Sequence, residues 1–326
     1  MHTQRSLEPA KATAVSKILI LDHDAAHAPR IKKFCDEHNL VGLKVPKGAV
    51  MSVLRRNIDL GGILYSENYG DSAGDTARIA MKIHSLRPEL PIIIRREREP
   101  QLTDLPEELQ TAFCAAYVAD DMEVLRRVVD RYIFCLTYPN SLLRGISNFT
   151  NNILSTQFPH MRIVRETPCI VHDRIIFGEV FSLIPLESNW CRGYLMLQTE
   201  EGALLAALGR GSPAGAPSNV RLVNDQLGEI ANMIWGAFKN RFIGDGGTFA
   251  GRNVQVPLVV NHEHKYISFG TENPHLCFIY QLIDPASGRR LKFYERFVFN
   301  LSWTPEAFRE VDEVDALVHS GEIEIF

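Results

Sequence analysis

In the stretch DQLGEIANMIWG, Asp225, Glu229, Asn232 and Gly236 fall at i, i+4, i+7 and i+11. At 3.6 residues per turn these positions form one narrow stripe of a helix, and Leu227, Ile230, Ala231, Ile234 and Phe238 form the opposite stripe. The polar stripe offers two carboxylates that accept hydrogen bonds or pair with a cation, and a carboxamide that both donates and accepts. A face meant only for solvent would carry long, flexible charges. Asn and Gly are poor helix formers, so their presence here points to something approaching closely. The competing reading is an amphipathic helix whose polar side happens to hold these residue types.

Other clusters offer less. His262 and His264 in NHEHK would share one face of a strand, but no third ligand accompanies them, so no metal site is expected. His172 beside Asp173, and the scattered serines, lack a nucleophile motif. The loop RGSPAGAPSN lacks the Gly-Lys-Ser/Thr ending of a phosphate cradle and reads as a flexible connection. Six cysteines without a Cys-x-x-Cys pair read as buried, reduced thiols.

The elements that must position these residues follow from the rest of the chain. Its 326 residues suggest about two domains. A hydrophobic fraction of 45% and a charged fraction of 23% are those of a globular protein. A net charge of −4 argues against broad nucleic-acid binding. The polar segment 1–16 has no signal-peptide core and no later run is long enough to span a bilayer, which predicts a cytoplasmic protein without membrane attachment.

Residues 17–137 alternate apolar strands (KILILD, GLKV, GGILYS, PIIIRR, CAAYVA) with helices, the pattern of a doubly wound parallel sheet. A last helix is predicted over 122–138, until Pro139 interrupts it. This order resembles the response-regulator receiver domain, and the resemblance implies a phospho-accepting Asp, acidic metal ligands, a hydroxyl residue and a Lys at the strand ends. Here Asp22 matches one acidic position but His23 occupies the next. Ser66, or Glu67 by a one-residue shift, stands where the acceptor should be. Arg95 or Arg96 lies near the hydroxyl position, and Asp120 or Asp121 replaces the Lys. Ser66 cannot form an acyl phosphate, so this domain is expected to be an unphosphorylated pseudo-receiver. A pairing of Glu67 with Arg95 or Arg96 is expected to lock one conformation.

Residues 138–326 read as an α+β domain, with two long helices on a mostly antiparallel sheet. Asp225, Glu229 and Asn232, with Pro257 downstream in VQVPLVV, match in order the motif of the CheX-type chemotaxis phosphatases, relatives of CheC and FliY, and the domain resembles theirs. The earlier helix, RGISNFTNNIL, offers Asn148 or Asn151 without a preceding Glu, so a single site per chain is expected.

The resemblance implies hydrolysis of the aspartyl phosphate of a separate, CheY-like receiver, which brings its own Mg²⁺ and Lys. The chain is expected to need no cofactor of its own. Asn232 would orient the water, since a carboxamide holds it without titrating. Glu229 would pair with the partner's Lys. Asp225 would accept a hydrogen bond or hold the helix start, and Gly236 would leave room for the phosphorylated loop. The alternative is a non-catalytic adaptor that binds a phosphorylated receiver through the same residues. A homodimer is also expected, with Phe293, Tyr294, Phe297 and Phe299 either pairing across its interface or filling a core.

Overall fold

The computed structural model describes residues 14–56, 59–208, 220–244, 259–261, 263–271 and 273–308. Pro257, His262, the loop 209–219 and the tail 1–13 lie outside them.

The first half runs β1 (Ser16–Leu21), α1 (Ala28–Glu37), β2 (Leu40–Lys44), α2 (Val50–Arg56), β3 (Leu60–Ser66), α3 (Ala73–Leu86), β4 (Ile92–Arg96), α4 (Glu107–Gln110), β5 (Ala115–Val118) and α5 (Met122–Tyr132). Its sheet has the order β2-β1-β3-β4-β5 and every pair is parallel. Side chains alternate across a strand, and here both faces are apolar. Ile18, Ile20, Leu64 and Ile93 pack with Ile31, Phe34, Leu125 and Val129 of α1 and α5. Leu19, Leu21, Ile63 and Ile94 pack with Val50, Leu54, Ala80 and Ile83 of α2 and α3. Burial on both faces is what a parallel sheet between helices requires. Ser72 caps α3 by accepting from the Asp75 N–H, and Asp121 caps α5 through Val124.

The second half runs α6 (Asn140–Gln157), β6 (Arg162–Arg165), β7 (Cys169–Val171), β8 (Val180–Glu187), β9 (Cys191–Thr199), α7 (Glu201–Ala207), α8 (Val220–Phe242), β10 (Val259–Asn261), β11 (Tyr266–Ser268), β12 (His275–Ile283) and β13 (Arg290–Trp303). An antiparallel sheet is ordered β6-β12-β13-β9-β8, with β7 also paired to β12. The long helices α6 and α8 cover one face over a core that includes Leu142, Ile146, Ile230, Ile234, Phe238, Phe293 and Phe297. They pack closely because Gly145 leaves room for Phe242, and Gln226 Nε2 donates to Gln157 Oε1 at 2.9 Å at the other end. The chain is thus a mixed α/β protein, a doubly wound parallel sheet followed by an α+β unit.

The two halves meet without a free hinge. Backbone bonds run from Val15 N–H to the Pro168 carbonyl (3.0 Å), from Ile170 N–H to the Val15 carbonyl (2.8 Å) and from His172 N–H to the Leu60 carbonyl (3.1 Å), so β7 is bonded to both sheets. Gly61 makes this approach possible, since a Cβ there would run into Ser16 Oγ and lie 3.0 Å from the Ile170 carbonyl oxygen. Beside β7, Arg87 at the end of α3 donates to Asp173 at 2.5 Å, and Arg296 of β13 lies 3.7 Å from the other Asp173 oxygen. All three side chains are buried. Burial outweighs the two guanidinium groups and pushes the Asp173 carboxyl up to about 6.

Several sequence expectations need correction. The helix expected to run to Pro139 ends at Tyr132, because Ile133 turns into the first core while Leu136 and Tyr138 face the second. The apolar run from Ile175 becomes a strand only at Val180, after Gly178 takes a left-handed φ of 69°. His264 sits in the turn between β10 and β11, not on a strand. Cys135 is exposed rather than buried. Of the two fates left open for Phe293, Tyr294, Phe297 and Phe299, the structure shows core packing, since all four lie buried on β13, which runs between β12 and β9.

Candidate functional site

Helix α8 places Asp225, Glu229 and Asn232 on its outer face, all exposed, while Val223, Leu227, Ile230, Ala231, Ile234 and Phe238 are buried against the sheet. Its end is tied down by the Trp190 indole N–H, which donates to the Phe242 carbonyl at 3.0 Å. Asp225 lies in the second turn of the described helix, 3.8 Å from Arg221, so it does not hold the helix start. Glu229 and Asn232 make no hydrogen bond to another described residue and are free to engage a ligand or partner from solvent. Gly236 follows on the same stripe, half-buried, with nothing within 4 Å of where a Cβ would stand. A glycine in mid-helix costs about 1 kcal/mol relative to alanine. The structure thus brings Asp225, Glu229, Asn232 and Gly236 onto one face, and Pro257 lies outside the described residues. On α6, Asn148 is exposed and accepts from Arg165 at 3.3 Å, and Asn151 is half-buried.

The second cluster lies at the carboxyl ends of β1, β3 and β4, where doubly wound sheets place their sites. It is filled by Arg95. The Arg95 Nε donates to Asp22 Oδ2 at 2.7 Å, and Nη2 donates to Asp22 Oδ1 at 3.2 Å and to Ser66 Oγ at 3.1 Å. Nη1 donates to Glu97 at 2.7 Å, and Asp24 stands 3.6 Å away. The Arg95 and Asp22 side chains are only 4% and 7% exposed, so the fork-to-fork pair is shielded from water. Burial works against the charged guanidinium, but hydrogen bonds and charge from Asp22 and Glu97 outweigh it and raise the Arg95 pKa.

Arg96 serves the loop beyond. It pairs with Glu67, chelates both Asp104 oxygens at 2.8 and 2.7 Å, and donates to the Gln101 carbonyl at 2.6 Å. Of the two expected partners of Glu67, the structure selects Arg96. His23 is exposed and stacks on Tyr69 at 4.9 Å. Asp120 pairs with Arg30, and Asp121 caps α5. Sequence reasoning missed Asp24, Glu97 and Asp104; the alternating charges of RREREP carried a signal for the second of these.

Among the described residues no group of three or more His, Cys, Asp or Glu is arranged to hold a metal, and no helix is long and apolar enough to cross a membrane.

No known protein-family model matches the sequence, and no curated protein matches it. Solved structures do resemble parts of the chain. A CheY-like response regulator receiver domain protein from Methanospirillum hungatei JF-1 is 18% identical with a TM-score of 0.30, over 36% of this chain and 97% of that one. Chemotaxis protein CheX from Vibrio vulnificus is 17% identical with a TM-score of 0.31, over 48% of this chain and 97% of that one. A chemotactic CheC-like protein from Shewanella oneidensis MR-1 is 19% identical with a TM-score of 0.31, over 48% of this chain and 98% of that one.

Proposed function

We propose that the outer face of α8 removes phosphate from the aspartyl phosphate of a separate receiver protein. The observation that carries this reading is the exposed Asp225, Glu229 and Asn232 on one stripe, with the last two unpaired among the described residues. An aspartyl phosphate is a mixed anhydride, already activated toward water. The catalyst must hold a water in line with the phosphorus and fix the partner. The Asn232 carboxamide can accept from the water and donate to a phosphoryl oxygen, since it carries both functions on one rigid plane. Attack forms a phosphorus–oxygen bond to water and breaks the bond to the aspartyl oxygen. Inorganic phosphate and a free carboxylate result. Glu229, one turn earlier, offers its carboxylate to a cationic group of the partner, which sets the register of docking.

The first half is then a fixed module for docking or regulation. Arg95 seats a permanent cation on Asp22, and Ser66 at the end of β3 has its oxygen engaged by Arg95 and by the Asn68 N–H. In this reading the substrate receiver is another chain, met in the cytoplasm.

The test is the decay of each phosphorylated receiver of the same cell, with and without this protein and its Asn232→Ala variant. Acceleration that the variant loses supports a phosphatase. Complex formation without acceleration makes the chain an adaptor.

A further inference from the structure

Asn232 does not stand alone on its stripe. Gly228 precedes it by four residues and Gly236 follows it by four, so it has a residue without a side chain one turn to either side. A Cβ at Gly228 or at Gly236 would meet nothing within 4 Å. The packing of the described residues therefore asks for glycine at neither position, in contrast to Gly145, whose missing side chain admits Phe242. Both lie inside a helix, where glycine is among the poorest formers. What the bare positions provide is close access from outside.

Trp235 supplies an independent observation. It lies three residues beyond Asn232, so it borders the same strip. Helical geometry sets Trp235 and Glu229 on opposite sides of Asn232, each about 60° around the axis. The indole is half-buried and stacks on Phe238 at 6.1 Å and 24°, and Phe238 is itself held against Phe297 at 5.2 Å. The Trp235 indole N–H makes no hydrogen bond to another described residue. A tryptophan fixed from beneath, with open surface and a free donor, suits an interface anchor, because its contact area costs little side-chain entropy.

We propose that Gly228, Asn232 and Gly236 form a flat seat for the backbone of the partner's phosphorylated loop, with Trp235 as the anchor that sets affinity and Glu229 as the opposite wall. The inference rests on the phosphatase reading and names the partner surface of that site. The occupant is the phosphate-bearing strand-end loop of a receiver together with an adjacent basic group, since Asp225 and Glu229 are exposed on the same face and complement a cation.

The experiment uses the full chain and a receiver phosphorylated with acetyl phosphate, under multiple turnover, beside denaturation of each variant. Gly228→Ala and Gly236→Ala are expected to unfold at higher denaturant than the parent, because alanine favours the helix and its Cβ has space. Both are nonetheless expected to raise KM by about tenfold or more. Trp235→Ala is expected to raise KM by a similar factor with kcat within about twofold, and Trp235→Phe, which keeps a ring on Phe238, to recover part of the loss. Asn232→Ala is expected to lower kcat instead.

Glycine and tryptophan variants with the parent's KM, beside an inactive Asn232→Ala, would overturn the seat and leave the phosphatase reading standing. Glycine variants that lose activity only as they lose stability would also overturn it, by making the glycines structural. An Asn232→Ala protein as fast as the parent would remove the phosphatase reading itself, and the seat with it.

Discussion

Glu295 is a carboxyl group inside the second core. It is fully buried on β13 beneath α6, and one oxygen accepts from Thr150 Oγ1 at 3.0 Å. Burial pushes its pKa from 4.5 up to about 8, against the hydrogen bond from Thr150. The folded protein therefore holds a proton there that the unfolded chain releases. For a raised carboxyl, stability is fully present below the unfolded pKa and is lost as pH rises through the folded one. The loss begins near pH 4.5, proceeds at about 1.4 kcal/mol per pH unit and tends to about 5 kcal/mol above pH 8. Glu295→Gln keeps the shape and the acceptor for Thr150 but has no proton to lose. Urea denaturation of parent and variant at about pH 5, 7 and 8.5 should show a difference that grows in the variant's favour with pH, by roughly 3 kcal/mol between the first two. A difference that stays flat across that range would refute the assignment of a neutral acid at Glu295.

Three further outcomes follow from the geometry. Arg95→Met leaves the shielded Asp22 carboxylate without its cation and should cost about 3–5 kcal/mol, part of it recovered by adding Asp22→Asn; denaturation of the single and double variants checks this. Gly61→Ala drives a Cβ into Ser16 Oγ and against the Ile170 carbonyl, and should separate the unfolding of the two halves or expose the junction to protease relative to the parent; adding Ser16→Ala should relieve part of the effect. Incubation with acetyl phosphate should leave the chain without a phosphate mass increment, because Ser66 cannot form an acyl phosphate and Arg95 already occupies Asp22.

The strands of the first sheet were readable because each is a short apolar run whose alternate residues reach two different helix layers. Ile18 and Leu19 are neighbours in sequence but belong to opposite cores. The α8 stripe was readable for a similar reason, since helical periodicity alone carries Asp225, Glu229 and Asn232 to one side. Strand β7 was missed. Three residues, CIV, carry no periodic signal, and they become a strand only because β12 and β1 lie on either side of them. The partners of Arg95 and Arg96 were equally hidden. Sequence puts both at one strand end, but which carboxylate each takes depends on β1 and β4 flanking β3, which brings Asp22 to Arg95 and leaves Glu67 to Arg96.

The backbone bonds of β7 to both sheets bear on how the protein transmits load. A chain folded as two beads on a string would bend at the segment between α5 and α6. Here that segment runs alongside a second, noncovalent path through Val15, Ile170, His172 and Leu60, and the two paths together form a closed loop of main chain. A loop braced at two points resists both twisting and separation. Through β7, the peptide groups of Leu60 at the start of β3 and of Val15 just before β1 are linked to β12, which lies between β6 and β13 in the other sheet. The sheet on which α8 rests is thereby joined to the first half by main-chain hydrogen bonds as well as by the covalent connection between α5 and α6.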